Sequence, residues 1–137
     1  MNMSESIQHL QLVNALKIEM VSYVPEDCWK LIQIDSPGSV NPPPYTTDGY
    51  RPDAYYQFRD LLVIGEAKTA NDVDTRHSRA QYESYLKECS RFQGHSRFIM
   101  IVPLLSQASA HNILRNMRRV TPGDYAIVVK GWWEGAL

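Results

Sequence analysis

Cysteine is scarce: the chain holds only Cys28 and Cys89, far apart and without a CxxC pair. Neither a disulfide framework nor a structural zinc site is expected, and a reduced, cytoplasmic setting fits best. Long hydrophobic runs are also missing. The longest, residues 98–105, is interrupted by Pro103 and far too short to span a bilayer. The N-terminus lacks a basic stretch followed by an apolar run, so no secretion signal and no membrane partner are expected. Excess charge of either sign is absent too, since 14 Lys and Arg face 15 Asp and Glu. Any binding of nucleic acid must therefore come from a local basic surface. There is no internal repeat and no low-complexity tract. At 137 residues the chain has room for one core, and residues 1–137 are read as a single domain.

What is present alternates helix-like and strand-like segments. Residues 4–23 contain no Gly or Pro, offer Ser4 as a cap, and space Leu10, Val13, Leu16, Met20 and Val24 along one side of a helix that Pro25 ends. Residues 28–35 alternate like a half-buried strand, and 36–50, with three consecutive prolines, form a loop. Two strands rich in aromatic and branched residues follow at 51–58 and 61–69. Only Arg59-Asp60 separates them, which predicts a hairpin. A second helix is expected over 74–93, with Gly94 as its exit. Residues 97–104 form an apolar strand buried on both faces, 106–120 a third helix, and 125–130 a last strand. The order is αβββαβαβ, an α/β fold. Its mixed sheet pairs the early strands as an antiparallel meander and adds the later ones through helical crossovers.

The informative segment is Arg51-Pro52-Asp53 followed by Gly65-Glu66-Ala67-Lys68. If the hairpin turns at Arg59-Asp60, pairing counts back from Phe58 with Leu61 until Asp53 lies opposite Glu66. Directly opposed side chains have Cβ atoms about 4.5–5.5 Å apart, so two carboxylates there repel unless a cation sits between them. Side chains alternate along a strand, so Glu66 and Lys68 share a face while Ala67 points away. Mg²⁺ prefers oxygen ligands and keeps several waters. Asp53, Glu66 and the Ala67 carbonyl are thus candidate ligands, with Lys68 placed to assist an attacking water. Mn²⁺ is expected to substitute. Arg59-Asp60 is not a favoured two-residue turn pair, so a bulge that shifts the register is an open alternative. The same letters also fit a Pro-Asp turn at Asp53 and an ordinary solvated pair of Glu66 with Lys68.

On the next helix Gln81 and Tyr85 stand at i and i+4, on one face. With Pro52-Asp53, Glu66-Ala67-Lys68 and Gln81-Tyr82-Glu83-Ser84-Tyr85 in order, the sequence resembles the PD-(D/E)XK nucleases. The likeness is to the branch of RecB-type nuclease domains and archaeal Holliday-junction resolvases, which carry a Q-x-x-x-Y element. The resemblance extends to the order of elements from residue 4 to about 105, that family's restriction-endonuclease-like αβββαβ core. It implies a metal-dependent nuclease, with Asp53 and Glu66 holding Mg²⁺, Lys68 as the catalytic lysine, and Gln81 supporting the metal or a substrate phosphate. Tyr85 is implied either to pack behind Gln81 or to touch the nucleic-acid backbone. Many such nucleases add a Glu on the first helix as an outer metal ligand. Of Glu5 and Glu19, an antiparallel first helix favours Glu5, though a Glu in a first turn also complements the helix dipole. His9, one turn later, carries the same ambiguity.

Arg76, His77 and Arg79 open the second helix beside the proposed site, and Arg115, Arg118 and Arg119 cluster on the third. Arg forks grip phosphate oxygens, and Arg76 and Arg79 are the nearer candidates for DNA contact. The loop over 36–50, with Tyr45, Asp48 and Tyr50, is expected to wall the substrate groove. Trp132-Trp133 suggests a self-association surface. Cutting both strands of a duplex needs two sites, so a homodimer, or a partner protein supplying specificity, is expected. Three other readings remain: a catalytically silent nucleic-acid-binding or assembly module of the same fold, an RNA-cleaving nuclease, and an unrelated interaction domain with chance motifs.

Overall fold

A computed structural model describes residues 3–133, with side chains described from residue 7 onward. Helix α1 spans Met3–Val21, so Ser4 lies inside the helix and is not its cap. Its buried side is Leu12, Val13, Leu16 and Met20, while Leu10 is 55% exposed. Leu12 takes the place expected for Leu10. Positions 12, 16 and 20 repeat every four residues, and 13 widens the stripe.

The segment expected as a first long strand is mostly a 3-10 helix, Glu26–Leu31, none of it buried. The alternation of apolar and polar residues misled because Trp29 has another task. Its indole N–H donates to the carbonyls of Val21 (3.2 Å) and Val24 (2.9 Å), groups that the end of α1 leaves open. Only β1, Gln33–Ile34, reaches the sheet.

Strands β2 (Ala54–Phe58) and β3 (Leu61–Ala67) form the expected hairpin, paired Phe58 with Leu61 through Ala54 with Gly65, with no bulge. Arg59 makes the tight turn by adopting φ 56°. A two-residue hairpin needs positive φ to match strand twist, and Arg bears that cost here in place of Gly. Helix α2, Arg76–Arg91, starts behind Thr75, whose hydroxyl accepts from Ser78 N–H at 3.0 Å. It leads into β4, His95–Pro103, parallel to β3. Helix α3, Gln107–Val120, crosses to β5, Ala126–Trp132, parallel to β4. The sheet is mixed and five-stranded, in the order β1-β2-β3-β4-β5.

The sheet's two faces bury separate cores. Leu62, Ile64, Phe98 and Met100 pack under α2 and α3, against Tyr82, Tyr85, Leu86 and Leu114. Val63, Ala67, Ile99 and Ile101 face α1 with Ala54 and Tyr56. Gly65 is the contact point on the α1 face, where a Cβ would sit 2.8 Å from Leu16 Cδ1. That close approach seats α1 over the C-terminal end of β3, on the face opposite to the one that Glu66 occupies. No helix among the described residues is long and apolar enough to cross a membrane.

Candidate active site

The backbone ladder between β2 and β3 stops at Ala54 and Gly65, so Asp53 and Glu66 occupy the next paired position. They are joined through side chains. Asp53 N–H donates to Glu66 Oε1 at 3.0 Å, and Ala67 N–H donates to Asp53 Oδ2 at 2.8 Å. Each carboxylate satisfies a backbone donor that the end of the ladder leaves over. The Asp53 carbonyl accepts from Asp35 N–H at 2.9 Å, which ties β1 to the same corner. The register read from the sequence therefore brings the two acids together, although Arg51, Pro52 and Asp53 lie outside the regular strand.

One oxygen of each acid remains. Asp53 Oδ1 lies 3.7 Å from His9 Nε2, and Glu66 Oε2 lies 3.6 Å from Lys68 Nζ. Tyr85 Oη donates to Glu66 Oε2 at 3.5 Å, a long contact, and Lys68 Nζ donates to Gln81 Oε1 at 2.5 Å. Glu66, Lys68, Gln81 and Tyr85 thus converge on the α2 face of the sheet, as the period of two along β3 and of four along α2 requires. His9 enters from the first turns of α1. Glu5, the favoured sequence candidate on that helix, has a side chain outside the described residues. His9, which carries the same ambiguity as Glu5 in the sequence, is the described α1 side chain that stands beside Asp53.

Burial decides the electrostatics. Glu66 is 3% exposed, and its pKa stands well above the ordinary carboxylate value. Loss of water is the main cause; the neighbouring charge of Asp53 adds to it and Lys68 opposes it. One ammonium does not offset desolvation plus a like charge, so the ionised pair is short of positive charge. The tyrosine hydroxyls behind the site resist ionisation for the same reasons: burial, then the field of Glu66, raises the pKa of both Tyr82 and Tyr85.

The remaining sequence candidates divide. Tyr85 is fully buried against Phe98, with ring centroids 5.7 Å apart, which closes it to contact with nucleic acid; its hydroxyl backs Glu66. Arg76 is exposed at the start of α2. Arg79 is exposed but paired with Asp74 at 2.6 Å, and that hydrogen bond holds the Asp74 carboxyl below its usual range. On α3, Arg118 is engaged with the Tyr125 carbonyl and ring, a packing role.

A divalent cation fits this donor set on chemical grounds: two carboxylates in contact, one of them out of water, with one oxygen each not used by backbone N–H. Among the described residues no group of three or more His, Cys, Asp and Glu side chains has metal-binding geometry. An ion here would depend on water and substrate oxygens for most of its shell, a manner of binding typical of Mg²⁺. No family model, no curated protein and no solved structure matches the chain.

Proposed function

We propose that the protein is a Mg²⁺-dependent nuclease that hydrolyses phosphodiester bonds of DNA, of the PD-(D/E)XK kind and with its restriction-endonuclease-like fold. The observation that carries this reading is the pairing of partly exposed Asp53 with buried Glu66, with Lys68 on the same face. Asp53 and Glu66 hold the ion, with His9 beside Asp53, and Mn²⁺ substitutes. When bound, the ion supplies Lewis acidity and charge compensation at the phosphate.

The chain's own groups do the rest. Water adds to phosphorus and gives up a proton to surrounding solvent, while the bond to the departing sugar oxygen breaks and that oxygen takes a proton from solvent to leave as a hydroxyl. Lys68, only 12% exposed, directs its ammonium toward the developing negative charge, where low dielectric strengthens the interaction. Gln81 is a positioning residue. Its carbonyl oxygen takes one ammonium hydrogen and holds Lys68 beside Glu66. The exposed Arg76 offers phosphate contact at the mouth. A symmetric pair of chains supplies two such sites for a duplex.

The test is incubation of single-stranded, duplex and branched DNA with Mg²⁺ or Mn²⁺, beside Lys68→Ala and Asp53→Ala proteins. Metal-dependent cutting lost in both variants supports the nuclease. Binding without cutting in either metal moves the reading to a silent module of the same fold. That second reading is favoured by one observation, the lack of a three-residue metal cluster among the described residues. An RNA substrate in the same assay separates the two nucleic acids.

A further inference from the structure

The loop that precedes Asp53 carries a feature that the hydrolytic site does not use. Arg51 lays its guanidinium over the ring of Tyr45, with Cζ 4.1 Å from the ring centroid. Its Nε is buried and has no hydrogen-bond partner. A buried guanidinium N–H without an acceptor is uncommon, and the Nε of Arg118 shares this state in its packing against buried Tyr125; Arg51 differs in stacking on an exposed ring and in lying two residues from Asp53. Tyr45 is 62% exposed, so the rest of its ring is open to solvent although an Arg already stacks on it.

The loop is held in place by its own bonds and by α2. Thr46 N–H donates to the Tyr50 carbonyl at 2.7 Å, and Gly49 N–H to the Thr46 carbonyl at 2.9 Å. Ser84 Oγ donates to Thr46 Oγ1 at 2.7 Å, and Thr47 N–H donates to Glu88 Oε1 at 2.7 Å. Tyr50 meets the His77 ring edge-on, at 5.8 Å between centroids. His77 and Gln81 are one helical turn apart on the same face of α2, and Gln81 holds Lys68. The Tyr50 end of the loop is therefore about one turn of helix from the proposed catalytic ammonium. Arg51 is separated from Asp53 by Pro52 alone.

We propose that Tyr45 and Arg51 form a subsite for one unpaired nucleotide next to the scissile phosphate: the base stacks on the exposed Tyr45 ring, and the Arg51 guanidinium stacked on that ring supplies positive charge for its phosphate. Aromatic rings accept any base by stacking, and Arg adds a cation against both ring and phosphate. A base inside a duplex has no free face, so the subsite selects single strands and frayed or branched ends. This inference rests on the nuclease reading for its position beside the cut, but its binding chemistry is measured separately.

The experiment measures fluorescence anisotropy of labelled oligothymidylate, oligouridylate and a blunt hairpin duplex with the full chain, in chelator so that no cutting occurs. Wild type is expected to bind the single strands more tightly than the hairpin. Tyr45→Ala is expected to lose about ten- to hundredfold in single-strand affinity, and Tyr45→Phe to keep most of it. Arg51→Lys keeps the charge but loses the planar fork, and falls between the two. A thermal melt of Tyr45→Ala shows whether the exposed ring left the fold intact. The ratio of the oligothymidylate and oligouridylate affinities identifies which nucleic acid supplies the nucleotide. Single-strand affinity indifferent to Tyr45→Ala, or a preference for the hairpin, overturns the subsite. Cutting of DNA in Mg²⁺ with Tyr45-independent binding removes the subsite and leaves the nuclease. Tyr45-dependent binding without cutting in any metal keeps the subsite and removes the nuclease.

Discussion

Replacing Glu66 by Gln gives opposite signs with and without metal. In the native fold the Glu66 pKa is raised above its ordinary 4.5, chiefly by burial and then by Asp53. Between the unfolded and the folded pKa the native state therefore binds more protons than the unfolded chain. Metal-free stability is full below the unfolded value and falls as pH rises toward the folded one. Gln keeps the acceptor for Asp53 N–H, now seen at 3.0 Å to Glu66 Oε1, and turns its amide toward the Tyr85 hydroxyl. It removes the ionisation that Lys68 alone does not compensate. In chelator at neutral pH the variant should be more stable by about 0.5–2 kcal/mol, in the range of substitutions that relieve a strained functional site. For a chain of this size that is a rise in Tm of about 2–8 °C.

With Mg²⁺ the order reverses. At a hundredfold excess over Kd, an ion that binds only the folded state adds about 2.7 kcal/mol, and the variant should lose most of this. The assay is thermal or urea unfolding of both proteins across pH, in chelator and in excess Mg²⁺. The reasoning fails if the variant is the less stable protein in chelator at neutral pH, or if Mg²⁺ shifts both proteins equally. A metal-free stability of wild type that rises from acid to neutral pH while that of the variant stays flat refutes the assigned sign.

Other substitutions probe the frame around the site. Gly65→Ala puts a methyl 2.8 Å from Leu16 Cδ1, and should cost about 1–3 kcal/mol in urea titrations and weaken metal-induced stabilisation by displacing α1. Gly94→Ala sets a Cβ 2.4 Å from the Asp60 carbonyl oxygen, which already accepts from His95 N–H. It should destabilise by about 1–3 kcal/mol without altering the relative rates on different DNAs. His9→Ala should reduce cleavage more in Mn²⁺ than in Mg²⁺, because imidazole is a better partner for the softer ion; equal losses in both metals would argue for a purely electrostatic role of His9 toward Asp53. Tyr85→Phe removes the 3.5 Å contact to Glu66 and should leave single-strand binding unchanged, since the ring is fully buried; weaker binding would restore Tyr85 to the substrate surface.

The sequence by itself determined the elements with strong periodicity and the register that follows from them. A two-residue break between apolar runs fixes the β2–β3 pairing, and with it the meeting of Asp53 and Glu66. A period of two puts Lys68 beside Glu66, and a spacing of four puts Tyr85 behind Gln81. Local pattern failed where a side chain worked at a distance. The alternation in residues 28–35 looks like a strand, yet Trp29 caps the carbonyls at the end of α1 and holds that stretch as a 3-10 helix.

Only the tertiary structure decided the rest. The choice of Leu12 over Leu10 depends on where α1 lies, and Gly65 sets that position through the missing Cβ. The approach of His9 to Asp53 depends on the same packing. The raised pKa of Glu66 arises from water excluded by elements distant in sequence, and the Arg51–Tyr45 stack from a loop pinned to α2. Periodicity is a property of neighbouring residues and can be read along the chain; desolvation and stacking belong to atoms that folding brings together.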